Sequence, residues 1–395
     1  MKDKIPPLQV EEFNYALPDD RIARHPVHPR HNSKLLVWNG HKCEDFQFCD
    51  LPAFIDKQTL MVFNDTRVIP ARLVFQLPPS DARIEVFLLQ PADPGWKIWE
   101  CQIGNRKKFK EDIVLRRTLQ VKGEDWTLEV HWNDRASNKV TLFCAQNSDM
   151  HAVLDAFGTV PLPPYLHRAA DAEDKMDYQT IFARNEGAVA APTASLHFTE
   201  LVMQALKKKE VKTSYITLHV GMGTFKPVTA TTANAHDMHA ERFVVTESFL
   251  KTLKSHLGSK IIASGTTSLR VLESLFYIGA ASLLNIKNPQ IVARDVGFLE
   301  EFNGISLQAA VDELLRLAAN NGGEIRGETS IFILPGFEFR ICTGLITNFH
   351  QPGSTLLMLV AAFTGGKWKE IYGHAMSHGY RFLSYGDGSL LFREK

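Results

Sequence analysis

Three histidines stand in surroundings that could support acid–base chemistry. His197, His219 and His350 each lie beside a Gly- or Pro-rich loop next to a predicted strand, in SLHFT, TLHVGMGTF and NFHQPGST. Imidazole titrates near neutral pH, so a cluster of histidines can donate and accept protons there. A lone histidine is more often a structural or surface residue, and spacing alone leaves that interpretation open for each of the three.

A run of small residues precedes the first of these histidines. In GAVAAPTASLHFT (187–199), glycine, alanine and threonine dominate until a His-Phe-Thr triplet. Small side chains let a backbone come close to another group. The segment therefore predicts a close approach, with His197 beside it.

Two loops have the composition of helix starts that bind anions. ASGTTSLR (263–270) lies between a predicted strand and a predicted helix, with Arg270 in the first turn. HQPGSTLL (350–357) repeats the pattern, with Ser354 and Thr355 as cap candidates. Free N–H groups at a helix N-terminus attract carboxylate or phosphate, although plain N-capping explains such loops equally well. If both loops face one cleft, they could hold a polar ligand at both ends.

Two further motifs do not predict a cofactor. GMGTF (221–225) has Gly-x-Gly without the third glycine of a dinucleotide-binding fingerprint, so a tight turn explains it. His236, His239 and Glu241 have a spacing that a metal could use, but no further ligand follows at a compelling spacing. A hydrogen-bonded loop is the favoured interpretation, and we predict no metal.

Two basic segments, 21–31 and 105–117, could contact nucleic-acid phosphates. The candidates are Arg21, Arg24, Arg30, Arg106, Lys107, Lys108, Arg116 and Arg117. Charged strand edges that oppose aggregation are the alternative for the second segment. Lys and Arg number 44, as do Asp and Glu, so a polyanion would need a local basic face.

The composition is that of an ordinary globular protein. The 395 residues are 45% hydrophobic and 22% charged, enough for two or three domains. Five scattered cysteines without CxxC spacing favour reduced thiols over a disulfide framework or a zinc site. The first residues lack a signal-peptide core, and no run of about 18 apolar residues occurs. We therefore expect a cytoplasmic protein without a membrane span.

The elements that must position these residues change character along the chain. From 76 to 155, short β-like runs split by polar turns predict a small inserted antiparallel β-barrel. Elsewhere, strands alternate with Gly/Ser/Thr loops and helices, which predicts sites at the C-terminal ends of strands. The predicted fold is thus a discontinuous, barrel-like α/β domain (1–75 and 156–395) interrupted by the barrel. A helix is predicted at 306–323, with Ser306 as N-cap.

Eight segments occur in one order along most of the chain and together carry a family resemblance. They are VFNDTRVIPARL (62–73), LPPY (162–165), YQTIFARNEGAVAAPTASLHFT (178–199), TLHVGMGTFKPV (217–228), MHAE (238–241), GTTSLRVLES (265–274), ITNFHQPGSTLLMLV (346–360) and YRFLSYGDGSLL (380–391). In this combination they resemble the S-adenosylmethionine:tRNA ribosyltransferase-isomerase family of queuosine biosynthesis. The resemblance implies an α/β barrel-like domain with a small inserted β-barrel.

The resemblance also implies a reaction. The ribosyl part of S-adenosylmethionine would move to the aminomethyl group of 7-aminomethyl-7-deazaguanine at the tRNA wobble position. Adenine and methionine would leave, and epoxyqueuosine would form. We expect S-adenosylmethionine to be a substrate rather than a prosthetic group. We also expect the protein to act on tRNA as a monomer, away from membranes.

This reaction needs proton transfers but no metal, because the sulfonium activates the donor. We expect His197 to act as acid or base, with His219, Glu186 and Asp387 as alternatives. Three tasks need such a group: a proton must be removed from the carbon beside the sulfonium, adenine must depart, and the attacking amine must lose a proton.

Other residues are expected to bind the substrates. Arg270, with Thr266 and Thr267, would hold the methionine carboxylate or a tRNA phosphate. Phe198 and Tyr385 would stack on adenine or on the modified base. Further expected contacts are Thr193, Thr199, Gly221, Gly223, His350 and Ser354.

The chain departs from the family pattern at several positions. Ser195 and Ala240 replace a usual Gly and a common Ser, and Gln351 and Gly353 replace a common Leu and Lys. Residues 277–325 have the character of an insertion, for which we expect a peripheral helical elaboration. The Gly353 change removes one basic side chain beside the expected substrate site.

Two functions of other classes are weighed against this one. An α/β hydrolase or phosphate-ester enzyme could use the helix-start loops but needs an activated nucleophile, and no G-x-S-x-G motif is present. A non-catalytic tRNA-binding protein could use the basic barrel.

Overall fold

Two large β-sheets, one mixed and one antiparallel, organise the chain. The computed structural model describes residues 4–79, 82–221, 228 and 230–393. Its strands are β1 (Lys34–Trp38), β2 (Cys43–Gln47), β3 (Leu60–Asn64), β4 (Thr66–Val68), β5 (Arg72–Leu77), β6 (Ala82–Pro91), β7 (Ile98–Gly104), β8 (Leu115–Val121), β9 (Glu124–Asp134), β10 (Lys139–Cys144), β11 (Asn185–Ala188), β12 (Lys212–Leu218), β13 (Glu241–Thr246), β14 (Ile261–Ser264), β15 (Ile291–Val292), β16 (Glu324–Thr329), β17 (Gly344–Asn348) and β18 (Gly388–Phe392).

The helices lie mainly in the second half of the chain. They are α1 (Met150–Phe157), α2 (Asp174–Asp177), α3 (Glu200–Lys208), α4 (Glu247–Ser255), α5 (Thr266–Leu283), α6 (Leu307–Asn320), α7 (Thr355–Phe363) and α8 (Trp368–Ser377). Within the described ranges, none of the helices has the length and hydropathy needed to cross a membrane.

The larger sheet has ten strands in the order β15-β16-β13-β12-β3-β14-β17-β18-β1-β2. Its centre, β12-β3-β14-β17, is parallel, and antiparallel pairs flank it. Along β3, Leu60 and Val62 pack into one hydrophobic cluster while Met61 and Phe63 pack into another. Both faces of this strand are therefore covered, which explains why LMVFN is apolar almost throughout.

The smaller sheet has the order β5-β6-β7-β10-β9-β8, and β5 approaches β8, so the six antiparallel strands nearly close into a barrel. Its core is separate from that of the larger sheet and includes α1. The predicted α/β class with an inserted antiparallel β-barrel is confirmed. The first strand begins at Arg72, before the expected boundary at 76, because Arg72 already pairs with Phe87.

The segment 277–325 is not the peripheral elaboration that we expected. Its first residues continue α5 without a break, and Val311 and Leu314 of α6 belong to the main hydrophobic cluster. A Cβ at Gly279 would lie 2.2 Å from the carbonyl oxygen of Ala310, so α5 and α6 can approach this closely because residue 279 is glycine. The segment is therefore part of the core that supports α5.

Candidate active site

A cavity of about 70 Å³ opens at the C-terminal ends of two neighbouring strands. β14 and β17 pair in parallel, and they lead into α5 and α7. Ligands of open α/β sheets bind at such strand ends. Of the residues singled out from the sequence, the cavity is lined by Thr193, Thr266, Thr267, His350 and Ser354. The structure thus brings the two helix-start loops to one site.

The start of α5 offers hydrogen-bond donors to this cavity. Gly265, which precedes the helix, has a φ of 92° that favours glycine, and no side chain caps the helix. Its first backbone N–H groups and the positive end of its dipole are therefore available to an anion. The buried hydroxyl of Thr267 has no hydrogen-bond partner among the described residues. Because an unpaired buried hydroxyl is costly, this atom is suited to a ligand partner.

The start of α7 is capped by the protein itself. Ser354 Oγ accepts from the Leu357 backbone N–H at 3.2 Å and donates to the Gln351 carbonyl at 2.7 Å. Ser354 is therefore the N-cap that the sequence suggested. Since this helix start has its own cap, the start of α5 is the stronger anion-binding candidate.

A chain of hydrogen bonds joins the cavity wall to His197. Thr193 Oγ1 donates to Asn348 Oδ1 at 2.9 Å, and the Asn348 amide nitrogen lies 3.2 Å from His197 Nε2. Because the amide oxygen accepts from Thr193, the amide nitrogen donates to Nε2, which places the imidazole proton on Nδ1, 2.9 Å from Ser33 Oγ. Both Thr193 and Asn348 line the cavity. His197 therefore fixes the orientation of Asn348.

These surroundings argue against the acid–base role predicted for His197. Its side chain is only 5% exposed, and its ring packs 4.8 Å from that of Phe48. Burial, reinforced by Arg381 and Arg30, lowers the pKa of His197 to about 3. Such an imidazole is neutral and weakly basic near pH 7, and both nitrogens are already engaged.

The other two histidines do not complete an acid–base cluster. His350 lines the cavity, its Nε2 lies 2.8 Å from Thr347 Oγ1, and burial lowers its pKa to about 3. His219 lies elsewhere, with Nδ1 3.0 Å from Thr66 Oγ1, and burial lowers its pKa although Asp65 opposes the shift. The sequence pattern common to the three therefore does not correspond to one shared site.

The small-residue segment makes close contacts at both of its ends. A Cβ at Gly187, where φ is 137°, would lie 3.0 Å from the His219 ring. Ser195 Oγ lies 2.8 Å from Ser264 Oγ in the buried contact with β14, so the extra hydroxyl relative to the family pattern has a partner. Between these ends, Ala191 and Ala194 line the cavity. The small side chains thus admit both protein neighbours and the cavity.

The two carboxylates considered as alternative bases lie outside this cavity. Glu186 is hydrogen-bonded to His151 Nδ1 in a separate cleft beside the inserted barrel. Asp387 is buried and accepts from the backbone N–H groups of Lys34 and Arg381 at 3.0 and 2.8 Å. Asp387 therefore holds the turn before β18, and neither carboxylate is placed to take a proton from a ligand in this cavity.

Three predicted substrate contacts already have protein partners. Phe198 is fully buried and meets two core phenylalanines edge to face, with centroids 4.9 and 5.0 Å away. The buried Tyr385 hydroxyl donates to Asp174 at 2.7 Å. Thr199 Oγ1 lies 2.8 Å from His31 Nδ1. These contacts leave no free ring face at Phe198 and argue against the proposed stacking there.

Arg270 does not join the threonines at the start of α5, as the sequence had suggested. Its guanidinium pairs with Glu241 and faces a second cavity, also of about 70 Å³, which Gly221 lines as well. The two cavities share Leu356. Gly223 lies outside the described residues.

The basic residues of the inserted barrel differ in whether their charged groups already have a partner within the protein. Lys107 and Lys108 are exposed. Arg116 pairs with a cross-strand glutamate at 2.7 Å. Arg106 and Arg117 donate to backbone carbonyls at 2.7 and 3.2 Å. The two lysines are therefore the best placed to meet a phosphate.

The basic residues near the N-terminus are largely occupied. Arg24 pairs with Asp19 at 2.7 Å. The Arg30 side chain is 14% exposed and donates to the Gln179 carbonyl at 2.7 Å. Arg21 is half-buried. This segment is better explained as packing than as a free cationic face.

Sequence reasoning missed a buried carboxylate that joins α5 to the segment before β17. Glu273, in the buried middle of α5, accepts from the backbone N–H groups of Arg340, Ile341 and Cys342 at 2.8–3.2 Å. It thereby ties α5 to the chain entering β17. Asn348 was missed as well, although it is the first residue of the NFHQPGST segment that contains His350. Ser33 carried no local signal because its contact with His197 spans 164 residues.

These features define a mixed α/β enzyme with an inserted antiparallel barrel and a polar site at parallel strand ends. Residues 10–391 match the family described as queuosine biosynthesis protein. The chain belongs to this family, which confirms the resemblance seen in the eight segments.

Relatives cover almost the whole chain. The S-adenosylmethionine:tRNA ribosyltransferase-isomerase of Rhodospirillum rubrum is 38% identical over 393 residues, 97% of this chain and 98% of its own. The enzyme of that name from Acidiphilium cryptum is 39% identical over 394 residues, 98% of this chain and 100% of its own. A crystal structure of S-adenosylmethionine tRNA ribosyltransferase from Thermotoga maritima is 28% identical and covers 96% of this chain and 100% of its own, with a TM-score of 0.47.

Proposed function

We propose that this protein is an S-adenosylmethionine:tRNA ribosyltransferase-isomerase of tRNA queuosine biosynthesis. It transfers and isomerises the ribosyl group of S-adenosylmethionine onto 7-aminomethyl-7-deazaguanine at the wobble position. Adenine and methionine leave, and the tRNA carries epoxyqueuosine. The observation that carries the proposal is the 38–39% identity to enzymes of this name across 97–98% of the chain.

The cavity at the start of α5 is the proposed site for the amino-acid end of the donor. That end carries a carboxylate, for which the uncapped α5 N-terminus and the unpaired Thr267 hydroxyl are suited partners. It also carries an ammonium, a hydrogen-bond donor. The Thr193 hydroxyl already donates a hydrogen bond to Asn348, so its oxygen lone pairs are left to accept one from the ammonium.

The adenosyl part of the donor is proposed to extend past Leu356 into the second cavity. Ligand sites typically enclose about 300–1,000 Å³, so the 70 Å³ cavity accommodates only part of S-adenosylmethionine. The second cavity shares the wall residue Leu356 with the first and is also lined by Phe332 and Met238, which suit a flat apolar ring.

The proposed enzyme acts as a cytoplasmic monomer without a prosthetic group. All five cysteines are free, which supports a reducing compartment. The donor-binding groups assigned above all come from one chain. S-adenosylmethionine enters as a substrate and supplies its own activation through the sulfonium.

Lys107 and Lys108 are expected to contribute two phosphate contacts to tRNA binding. Changing both to Ala should make the dependence of log affinity on log salt shallower by about 0.7–0.9 per contact. The matched control is the Lys207→Ala, Lys208→Ala variant, which removes an adjacent exposed lysine pair on the main body. Filter binding at several salt concentrations measures both slopes. If the variant that lacks Lys107 and Lys108 has the same slope as the wild type, these lysines are solvated and do not contact the tRNA phosphates.

Analysis of the tRNA nucleosides after reaction tests the proposed function. The protein is incubated with S-adenosylmethionine and tRNA that bears the precursor base, and the nucleosides are separated and weighed by mass spectrometry. Epoxyqueuosine is expected. A tRNA-binding protein without activity would retain the tRNA but leave the precursor unchanged, and a phosphate-ester enzyme would not add a ribosyl-derived group.

A further inference from the structure

A group of metal-ligating side chains lies on the surface, away from the proposed donor site. Among the described residues, Asp45, His374 and His378 place their ligand atoms within 4.8 Å of one another. None of them lines the cavities at β14 and β17. His236 and His239, the pair considered from the sequence, belong to the second cavity and not to this group.

The local structure explains why the three side chains converge. His374 and His378 are four residues apart at the end of α8, so they lie on the same helical face. Their rings stack in parallel, with centroids 3.8 Å apart and planes at 9°. Asp45 projects from β2, the edge strand of the large sheet, and both of its oxygens lie 3.0 Å from His374 Nε2.

Neighbouring groups orient these side chains as they do around metal sites. The Tyr380 hydroxyl donates to Asp45 Oδ1 at 2.6 Å, which leaves Oδ2 for another partner. His378 Nδ1 lies 2.9 Å from the carbonyl oxygen of His374, so a proton on Nδ1 donates there and leaves Nε2 as the ligand atom. Backbone carbonyls and hydroxyls commonly hold metal ligands in this way.

Further donors flank the group. Cys43 is two residues before Asp45, on the same side of β2, and Glu370 is four residues before His374, on the same side of α8. An ion held by the three side chains would therefore have a thiol and a second carboxylate nearby.

We infer that Asp45, His374 and His378 bind a divalent first-row transition-metal ion that joins β2 to the end of α8. Two imidazoles and one carboxylate are ligands that suit Zn²⁺ and its neighbours rather than Mg²⁺ or Ca²⁺. Binding needs the lone pair of His374 Nε2, so in the metal-bound state the ring proton is on Nδ1. Water or the Cys43 thiol would fill the remaining coordination positions of the ion.

The expected consequence is stability rather than chemistry. Through Tyr372, α8 also accepts a hydrogen bond from the backbone N–H of His350 at 2.9 Å. An ion that holds α8 to β2 therefore stabilises an element that supports the cavity loop, without touching the proposed donor site. This inference does not depend on the proposed function, because its test measures metal binding and melting.

Calorimetric titration of the chelator-treated full chain with ZnCl₂ tests the inference. One ion per chain is expected, with a rise of a few degrees in Tm at about 100-fold excess over Kd. His378→Ala, at an exposed position, should weaken binding by more than about 100-fold, and Tyr380→Phe by about 10- to 100-fold. Adding Mg²⁺ in place of Zn²⁺ should leave Tm unchanged.

The matched control is His41→Ala, which removes an exposed histidine from the turn before β2. It should bind Zn²⁺ like the wild type. The inference is overturned if the wild type binds no Zn²⁺ at micromolar concentrations, if His378→Ala keeps the wild-type affinity, or if His41→Ala loses it equally.

Discussion

The chemical step is expected to slow by about 100-fold when His197 is replaced by Gln, while the shape of the pH–rate profile stays that of the wild type. The loss comes from Asn348, whose amide nitrogen donates a hydrogen bond to His197 Nε2 and whose amide oxygen accepts one from the Thr193 hydroxyl. The profile stays the same because His197 is neutral over the working range, since burial has lowered its pKa to about 3. A histidine acting as general base would instead supply an acidic limb that the variant loses.

Asn348→Ala provides the matched comparison. If His197 acts through Asn348, each single variant should lose a similar factor in the single-turnover rate, and the double variant should lose little more than either. Melting temperatures measured alongside show which preparations are folded. A folded His197→Gln protein with a near wild-type rate, or full additivity in the double variant, would contradict the positioning role.

Thr267→Val is expected to raise the melting temperature and to raise the KM for S-adenosylmethionine by about tenfold or more. The Thr267 hydroxyl is buried without a partner in the described residues, so its removal relieves a desolvation cost in the free protein. The same hydroxyl is proposed to bind the donor carboxylate, and a hydrogen bond to a charged group is worth about 1.5–3 kcal/mol. Stability and donor affinity should therefore move in opposite directions.

Thr59→Val separates the two effects. The Thr59 hydroxyl is also buried and unpaired in the described part of the chain, but it lies in the loop before β3 and lines neither cavity. Its removal should raise Tm without changing the KM for S-adenosylmethionine. If Thr267→Val also leaves KM unchanged, the α5 start is not the donor carboxylate site.

The sequence predicted the fold well where local patterns determine structure. In β9 of the inserted barrel, buried residues alternate with half-buried ones, and β14 and β17 end in the loops for which helix starts are predicted. Ser306 accepts from the Ala309 N–H as an N-cap should. The prediction that 277–325 is peripheral was wrong because the packing of this segment depends on the contact between Gly279 and Ala310, which no local pattern reveals.

Some of the residues singled out from the sequence line the candidate cavity, while long-range contacts hold others elsewhere. Thr193, Thr266 and Thr267 reach the cavity because the ends of neighbouring parallel strands meet there. His197 had a suggestive sequence context, but its burial and its contact with Ser33 come from distant parts of the chain. Arg270 follows the helix start in sequence, yet Glu241 on β13 holds its guanidinium. Long-range partners decide which polar residues remain free for a ligand.

Release of free adenine is the most direct measure of the proposed transfer. Adenine is quantified by liquid chromatography after the protein is mixed with S-adenosylmethionine alone, with precursor-bearing tRNA alone, or with both. Adenine should accumulate only with both, in step with epoxyqueuosine in the tRNA, and at the same rate after treatment with EDTA. Adenine formed without tRNA, or none formed with both substrates and folded protein, would contradict the assignment.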